Sequence, residues 1–428
     1  MSISGSSTGG GTTKTASDGR VTRFPPLFSP EVAADPHAFY RRLRAVPELP
    51  YDDAVGGHLL SRFEDCATAY RNPVFTVRAY DWLLEPIHGR TILQMDGAEH
   101  GRRRRLLSPA FHGEGLAAIG PMITEIAVET LESVVQQSAE NLVNDLGESR
   151  EADLVEGFAN RFPVNVIADM LGVPEPDRSR FRGWYVTIVS ALSNLVRDPA
   201  VDVQIAETRR EIEAYFLPLI RARRAELSGD LISRLAVAEV EGDRMSDEEI
   251  KAYVSLLLTA GAETTDRALG SLFKNLLEHP AQWDSVREDR RLVRAAIAES
   301  LRISPPTQIN LRQTAEEFVL GETVLPAGAT AVILIGSANR DERKYERADE
   351  FDIHRADLDV DRAFTQAGHL AFGAGRHFCL GAHLARTEME TALSLFLDRF
   401  PDLRLADGFV PRDVGLKMRG PVQLRVRL

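Results

Sequence analysis

Between Ser246 and His279 the chain carries a run that cannot lie on a protein surface. Ser246 and Glu249 form a capping box in front of an apolar stretch, which marks a helix start. Pro280 marks the end, so the spacing predicts a helix of about 33 residues, roughly 50 Å long. Its middle, Val254–Ala262, is apolar nearly all round and must therefore cross an interior. A buried rod of that length needs other helices packed about it. Helical periods supply them over 36–45, 61–71, 99–111, 119–143, 154–171, 178–196, 203–227, 230–239, 281–303 and 381–400. Strand-like alternation is confined to 58–61, to 309–335 with breaks at turns, and to 422–428. The pattern predicts a mainly α fold: one large α-rich domain with small peripheral β-sheets.

Length alone would allow two or three domains in 428 residues. No linker follows the first twenty residues, so a single domain over 21–428 is expected. Residues 1–20 are rich in Ser, Thr and Gly and read as a disordered tail without the apolar core of a secretory signal. The longest near-apolar run, Ala252–Ala262, falls far short of a bilayer span. Two cysteines give no disulfide framework, which suits a reducing compartment. A net charge of −12 argues against general nucleic-acid binding. A soluble, cytoplasmic protein with neither membrane nor nucleic-acid partner is expected.

The long helix carries Glu263, Thr264 and Thr265 into its apolar interior. On one reading the threonines back-bond to helix carbonyls and Glu263 finds a cation. On the other, Gly261 permits a local opening of the hydrogen-bond ladder, Thr264 holds a polar ligand there, and Glu263 delivers protons from outside.

A second motif fixes the chemistry. Phe372-Gly373-Ala374-Gly375-Arg376-His377-Phe378-Cys379-Leu380-Gly381 sets one cysteine in a glycine-rich loop just before the apolar-periodic run 382–400. The glycines leave no Cβ in the way of a large planar ligand. The helix that follows turns its free N–H groups and positive end toward the sulfur, which favours thiolate. Such a thiolate is a strong axial donor to haem iron. Cys66, in a short amphipathic segment, reads as core.

Position for position, this loop resembles the haem-binding loop of the cytochrome P-450 family, the haem-thiolate monooxygenases. Ala260-Gly261-Ala262-Glu263-Thr264-Thr265 resembles that family's oxygen-activation segment. The resemblance covers residues from about 25 to 428 and implies the cytochrome P-450 fold. It implies haem b with Cys379 as its metal ligand, Phe372, Gly373, Gly381 and Gly261 against the cofactor, and Glu263 with Thr264 as the catalytic proton pair. His100 and Arg104 lie four apart and share a helix face; in the family the matching positions bind a haem propionate. Arg312, His377 and His369 match further propionate contacts. Glu299 and Arg302 look like the family's Glu-x-x-Arg pair. The second arginine that usually joins it is replaced here by Glu350, and either Arg355 or Arg340 can compensate.

The run Arg102–Arg105 is the one basic cluster in an acidic chain. For Arg102, Arg103 and Arg105 the reading is a solvated face and a dock for an acidic electron donor. With no flavin or iron–sulfur motif in the chain, the resemblance implies a separate ferredoxin-like or flavin partner, with dioxygen and a small-molecule substrate. By the same resemblance substrate would meet segments that contain Phe75, Tyr80, Trp82, Trp184 and Tyr185, with Gln308 and Asn310 as polar anchors, which suits a mid-sized, mostly apolar molecule; most of those aromatics serve equally well as core. Two competing readings are a haem-thiolate enzyme without oxygen insertion and a non-catalytic haem gas sensor.

Overall fold

A computed structural model describes residues 24–145, 151–192, 199–365 and 368–428. The predicted tail at 1–20 lies outside them. Among the described residues helices dominate, and most side chains of the core belong to one continuous apolar cluster running from Leu60 to Val426. A smaller core, with Phe39, Tyr40, Leu59 and Val332, sits where the helix Pro36–Ala45 meets a sheet. No helix of the described residues is long and apolar enough to cross a membrane.

The interior rod is present but divided. Its capping box is formed on both sides, with Glu249 N–H donating to Ser246 Oγ at 3.2 Å and Ser246 N–H donating to Glu249 Oε2 at 2.8 Å. One helix then runs Asp247–Ala260 and a second Ala262–Leu277. Gly261 at the break is packed against Ile167, whose Cδ1 would lie 2.8 Å from a Cβ there, so no other residue fits without movement. The second half buries Leu269, Leu272, Phe273 and Leu276. Each is worth about 1.5–3 kcal/mol relative to exposure. Phe273 stacks on Phe396 of the helix Ala382–Arg399, ring centres 4.7 Å apart.

The expected strands resolve into a five-stranded sheet in the order 51–52, 57–60, 330–334, 309–314, 75–76, and a three-stranded sheet in the order 404–405, 425–427, 151–153. Ile309–Thr314 pairs antiparallel with Thr330–Leu334, Leu311 opposite Val332. Sequence reasoning missed the two-residue strands, including the hairpin Glu239–Val240 with Asp243–Arg244, because period-2 alternation needs more residues than these contain.

Arg302 is fully buried and forks onto Glu299, Nε to Oε2 at 2.7 Å and Nη2 to Oε1 at 2.8 Å. Its remaining N–H groups donate to the carbonyls of Asn339, Ala348 and Glu350. The expected second arginine is Arg355, whose Nε lies 3.0 Å from Glu299 Oε2. Arg340 instead donates to Ile303 O and pairs with Asp349. Glu350 turns its side chain outward to Arg347.

Candidate active site

One deep cavity is lined jointly by the broken rod and the cysteine loop: Ala260, Gly261, Glu263 and Thr264 from the first, Phe372, Gly373, Cys379 and Gly381 from the second. The loop's shape follows from its glycines. Gly373 and Gly375 adopt φ +70° and +69°, which favour glycine. Gly375 also packs so closely on the helix Phe63–Arg71 that a Cβ would sit 2.7 Å from Tyr70 O. Cys379 N–H donates to Phe372 O at 2.9 Å, closing the loop. At Gly381 a Cβ would meet nothing within 4 Å, so the backbone presents an open face to the cavity.

The sulfur's electrostatics qualify the sequence expectation. Burial pushes the Cys379 thiol up, while the Gly381 N–H and the Arg104 guanidinium pull the other way. Burial is the largest of the three, so the thiol is raised, opposite to the direction expected from the helix start.

His100, Arg104, Arg312 and His377 also line the cavity. The two imidazoles stack with centres 4.2 Å apart, and His377 Nε2 lies 3.1 Å from Asp96 Oδ1. Burial, then His377 and Arg104, lower His100 to a pKa of about 4, so it is neutral at physiological pH. Arg104 donates to Arg376 O at 3.4 Å. Arg312 donates to Leu311 O at 2.8 Å and lies over the Tyr70 ring. Among the described residues neither arginine has a carboxylate partner, although Arg312 is buried. Two unneutralised cations beside an open glycine face and a cysteine fit a flat ligand that bears acid groups and a metal. His369 is brought elsewhere: it is wholly buried behind Phe372, with its Nδ1 accepting the Ala371 N–H, and does not line the cavity.

On the rod, both threonines back-bond: Thr264 Oγ1 donates to Ala260 O and Thr265 Oγ1 to Gly261 O, each at 2.9 Å. The local reading of these hydroxyls is therefore realised, and Thr264 also lines the cavity. Glu263 is buried and makes no hydrogen bond among the described residues. Burial raises its pKa against the pull of Arg267 and Lys417, so no paired cation neutralises it.

Several expectations about substrate contacts are corrected. Of those five aromatics Tyr80 alone lines the cavity; Trp82 is exposed, Phe75 packs on Phe318, Trp184 bonds Glu211, and Tyr185 is buried elsewhere. The walls are instead chiefly aliphatic, with Leu83, Leu93, Leu256 and Leu257. Asn310 lines the cavity, but its amide is spent on Tyr70 and Tyr80. Gln308 donates to Pro305 O away from the cavity. The Arg102–Arg105 run is not a free face: Arg103 clamps Asp243 and Glu249 at 2.6 Å each, and Arg105 reaches Glu241, so the run holds its own hairpin.

Sequence reasoning also missed Glu388, which lines the cavity fully buried with neither carboxylate oxygen hydrogen-bonded. The signal was available, since it falls on the apolar stripe Leu384–Glu388–Ala392.

The Cytochrome P450 family model matches residues 68–405. Pulcherriminic acid synthase of Bacillus subtilis is 33% identical over 403 residues, covering 94% of this chain and 96% of its own. Cyclomarin C epoxidase CymV of Salinispora arenicola is 31% identical over 407 residues, 94% and 98% covered. The crystal structure of CYP109E1 from Bacillus megaterium in complex with testosterone superposes with a TM-score of 0.79 at 28% identity, 92% and 99% covered. The family match and these relatives place the chain in the class of haem-dependent oxidoreductases. The chain belongs to the cytochrome P450 family. It is a monooxygenase that carries haem b on a cysteine thiolate and acts on dioxygen and a small-molecule substrate.

Proposed function

We propose that Cys379 is the thiolate that ligates the haem iron. It lines the cavity, whereas Cys66 is buried with its thiol donating to Leu60 O at 3.2 Å. Arg104, Arg312, His100 and His377 would bind the propionates. Phe372, Gly373, Gly381 and Gly261 would hold the cofactor by close backbone and apolar contact. His369 would act on the loop rather than on the cofactor.

Haem bound there supplies reductive activation of dioxygen and transfer of one oxygen atom to the substrate. The chain's own residues manage position and protons. Glu263, kept protonable by burial, carries a proton inward. Thr264 accepts hydrogen bonds in the cavity and passes the proton on by exchanging its bond to Ala260 O. The aliphatic walls exclude bulk water and orient a mid-sized, mostly apolar organic molecule. The testosterone named for one solved relative is a ligand of that kind. Electrons would come from a separate ferredoxin or flavoprotein.

The observation that carries this reading is that a single cavity reaches both Cys379 and the Glu263–Thr264 pair. The test is a screen of apolar compounds by the spin-state shift of the ferric Soret band, followed by product analysis with reductant and oxygen. Compounds that shift the band and gain one oxygen atom support it; turnover without oxygen in the product overturns it.

A further inference from the structure

Three Lys or Arg side chains line the cavity, and they fall into two groups. Arg104 and Arg312 act electrostatically on His100 and His377. Lys417 is apart from them and is felt instead by Glu263.

Lys417 sits in the turn that joins the strands Asp413–Val414 and Gly420–Pro421. The turn is tightly held. Gly415 has φ +96°, and a Cβ there would lie 1.8 Å from Met418 O. Gln308 N–H donates to Lys417 O at 2.8 Å, and Met418 bridges Thr307. The ammonium is thus presented from a rigid support. Among the described residues it donates one hydrogen bond, to Leu192 O at 3.1 Å, and has no carboxylate within ion-pair distance. An ammonium has three donors. No acceptor among the described residues takes the other two, and Glu263, the carboxylate that acts on it, lies beyond ion-pair distance.

A partly buried cation with unspent donors is costly unless a ligand completes it. We propose that Lys417 is a specificity-determining residue that binds an oxygen acceptor of the substrate, a carbonyl or a carboxylate. The substrate is then a largely apolar molecule with such an oxygen placed away from the reacting position. This deepens the monooxygenase reading and rests on it.

The test uses 1-alkylimidazoles, which anchor themselves on ferric haem, and the same compounds ending in a carboxylate or a primary amide at increasing chain length. Binding is read by the red shift of the Soret band in the haem-loaded protein, its Lys417→Met and its Lys417→Arg variants. At one chain length the oxygen-bearing compound should bind wild type at least about tenfold more tightly than its alkyl parent. Lys417→Met should abolish that advantage while leaving the parent's affinity unchanged, and Lys417→Arg should retain part of it. A gain with carboxylate alone assigns an anionic substrate; a gain with amide as well assigns a neutral carbonyl. No gain at any length, or a gain that survives Lys417→Met, overturns the proposal. So does an equal loss for parent and derivative, which would make Lys417 a strut for Leu192. Absence of any shift with the parent imidazole would overturn the haem reading and the proposal with it.

Discussion

Arg355 Nε and Glu299 Oε2 meet at 3.0 Å with both side chains almost completely removed from solvent, the acid on the helix Val293–Ile303 and the arginine on an irregular segment further along the chain. Glu299 thus accepts hydrogen bonds from the Arg302 guanidinium and from Asp352 N–H, and forms an ion pair with Arg355. Its charge is neutralised twice over, and the carbonyls of Asn339, Ala348 and Glu350 return the excess through Arg302.

Removing one member of such a cluster strands the others. Arg302→Leu should cost about 3–5 kcal/mol, because it leaves Glu299 buried with half its partners. Arg355→Met should cost about 2 kcal/mol, the value of its charge-assisted hydrogen bond to Asp357. Arg340→Met should cost less than either, since it reaches Glu299 by no bond. Urea denaturation of the three variants ranks them; an Arg340 variant as unstable as the Arg302 one would show that the cluster is wrongly drawn.

Cys379→Ser should abolish the red-shifted Soret band of the reduced carbon monoxide complex, while Cys66→Ser should keep it. Loss of the band in the Cys66 variant alone would reverse the two assignments.

Thr264→Ala should leave substrate binding nearly unchanged and divert reducing equivalents to peroxide. Glu263→Gln keeps the shape but not the titratable group, so it should slow turnover more than it uncouples it. Product formed per reductant consumed distinguishes them. Full coupling in Thr264→Ala would require a different proton route.

Glu388 gives a pH dependence with a definite sign. Its carboxyl is held well above the usual range by burial alone. The unfolded chain ionises it at the ordinary value, so below that value it costs the fold nothing. As pH rises from there toward the folded value, the penalty for keeping it neutral grows. The stability of Glu388→Gln relative to wild type should therefore improve from pH 5 to pH 8 in thermal unfolding. A difference that stays constant with pH would mean the carboxyl is not neutral in the fold.

Arg103 and its neighbours separate two roles. Arg103→Ala should loosen the Glu239–Arg244 hairpin and show as faster proteolysis there. Reversing the charges of the more exposed Arg102 and Arg105 should slow electron delivery at low salt without changing substrate affinity. Unchanged reduction rates at low salt would leave the cluster with only its internal role.

What could be read from the chain beforehand follows a physical line. The interior rod was legible because apolar residues on every side admit one environment, and the cysteine loop because its glycine spacing is specific to a backbone shape. The partners of Arg103 were not legible, since they arise when a hairpin about 140 residues away folds back, and no local period records that. The choice between Arg355 and Arg340 was equally closed to spacing arguments, for both lie within reach along the chain and only the packed backbone separates them. The aromatics stayed open between core and pocket for a related reason: a large apolar side chain satisfies a core and a cavity wall equally well.

The turn at Gly415 has an evolutionary consequence. Any other residue there must push the carbonyl of Met418 aside, and with it the support on which Lys417 and Met418 stand. Substrate range can thus drift through a position that no substrate ever touches. Comparing cavity walls alone would trace such a change to the wrong residues.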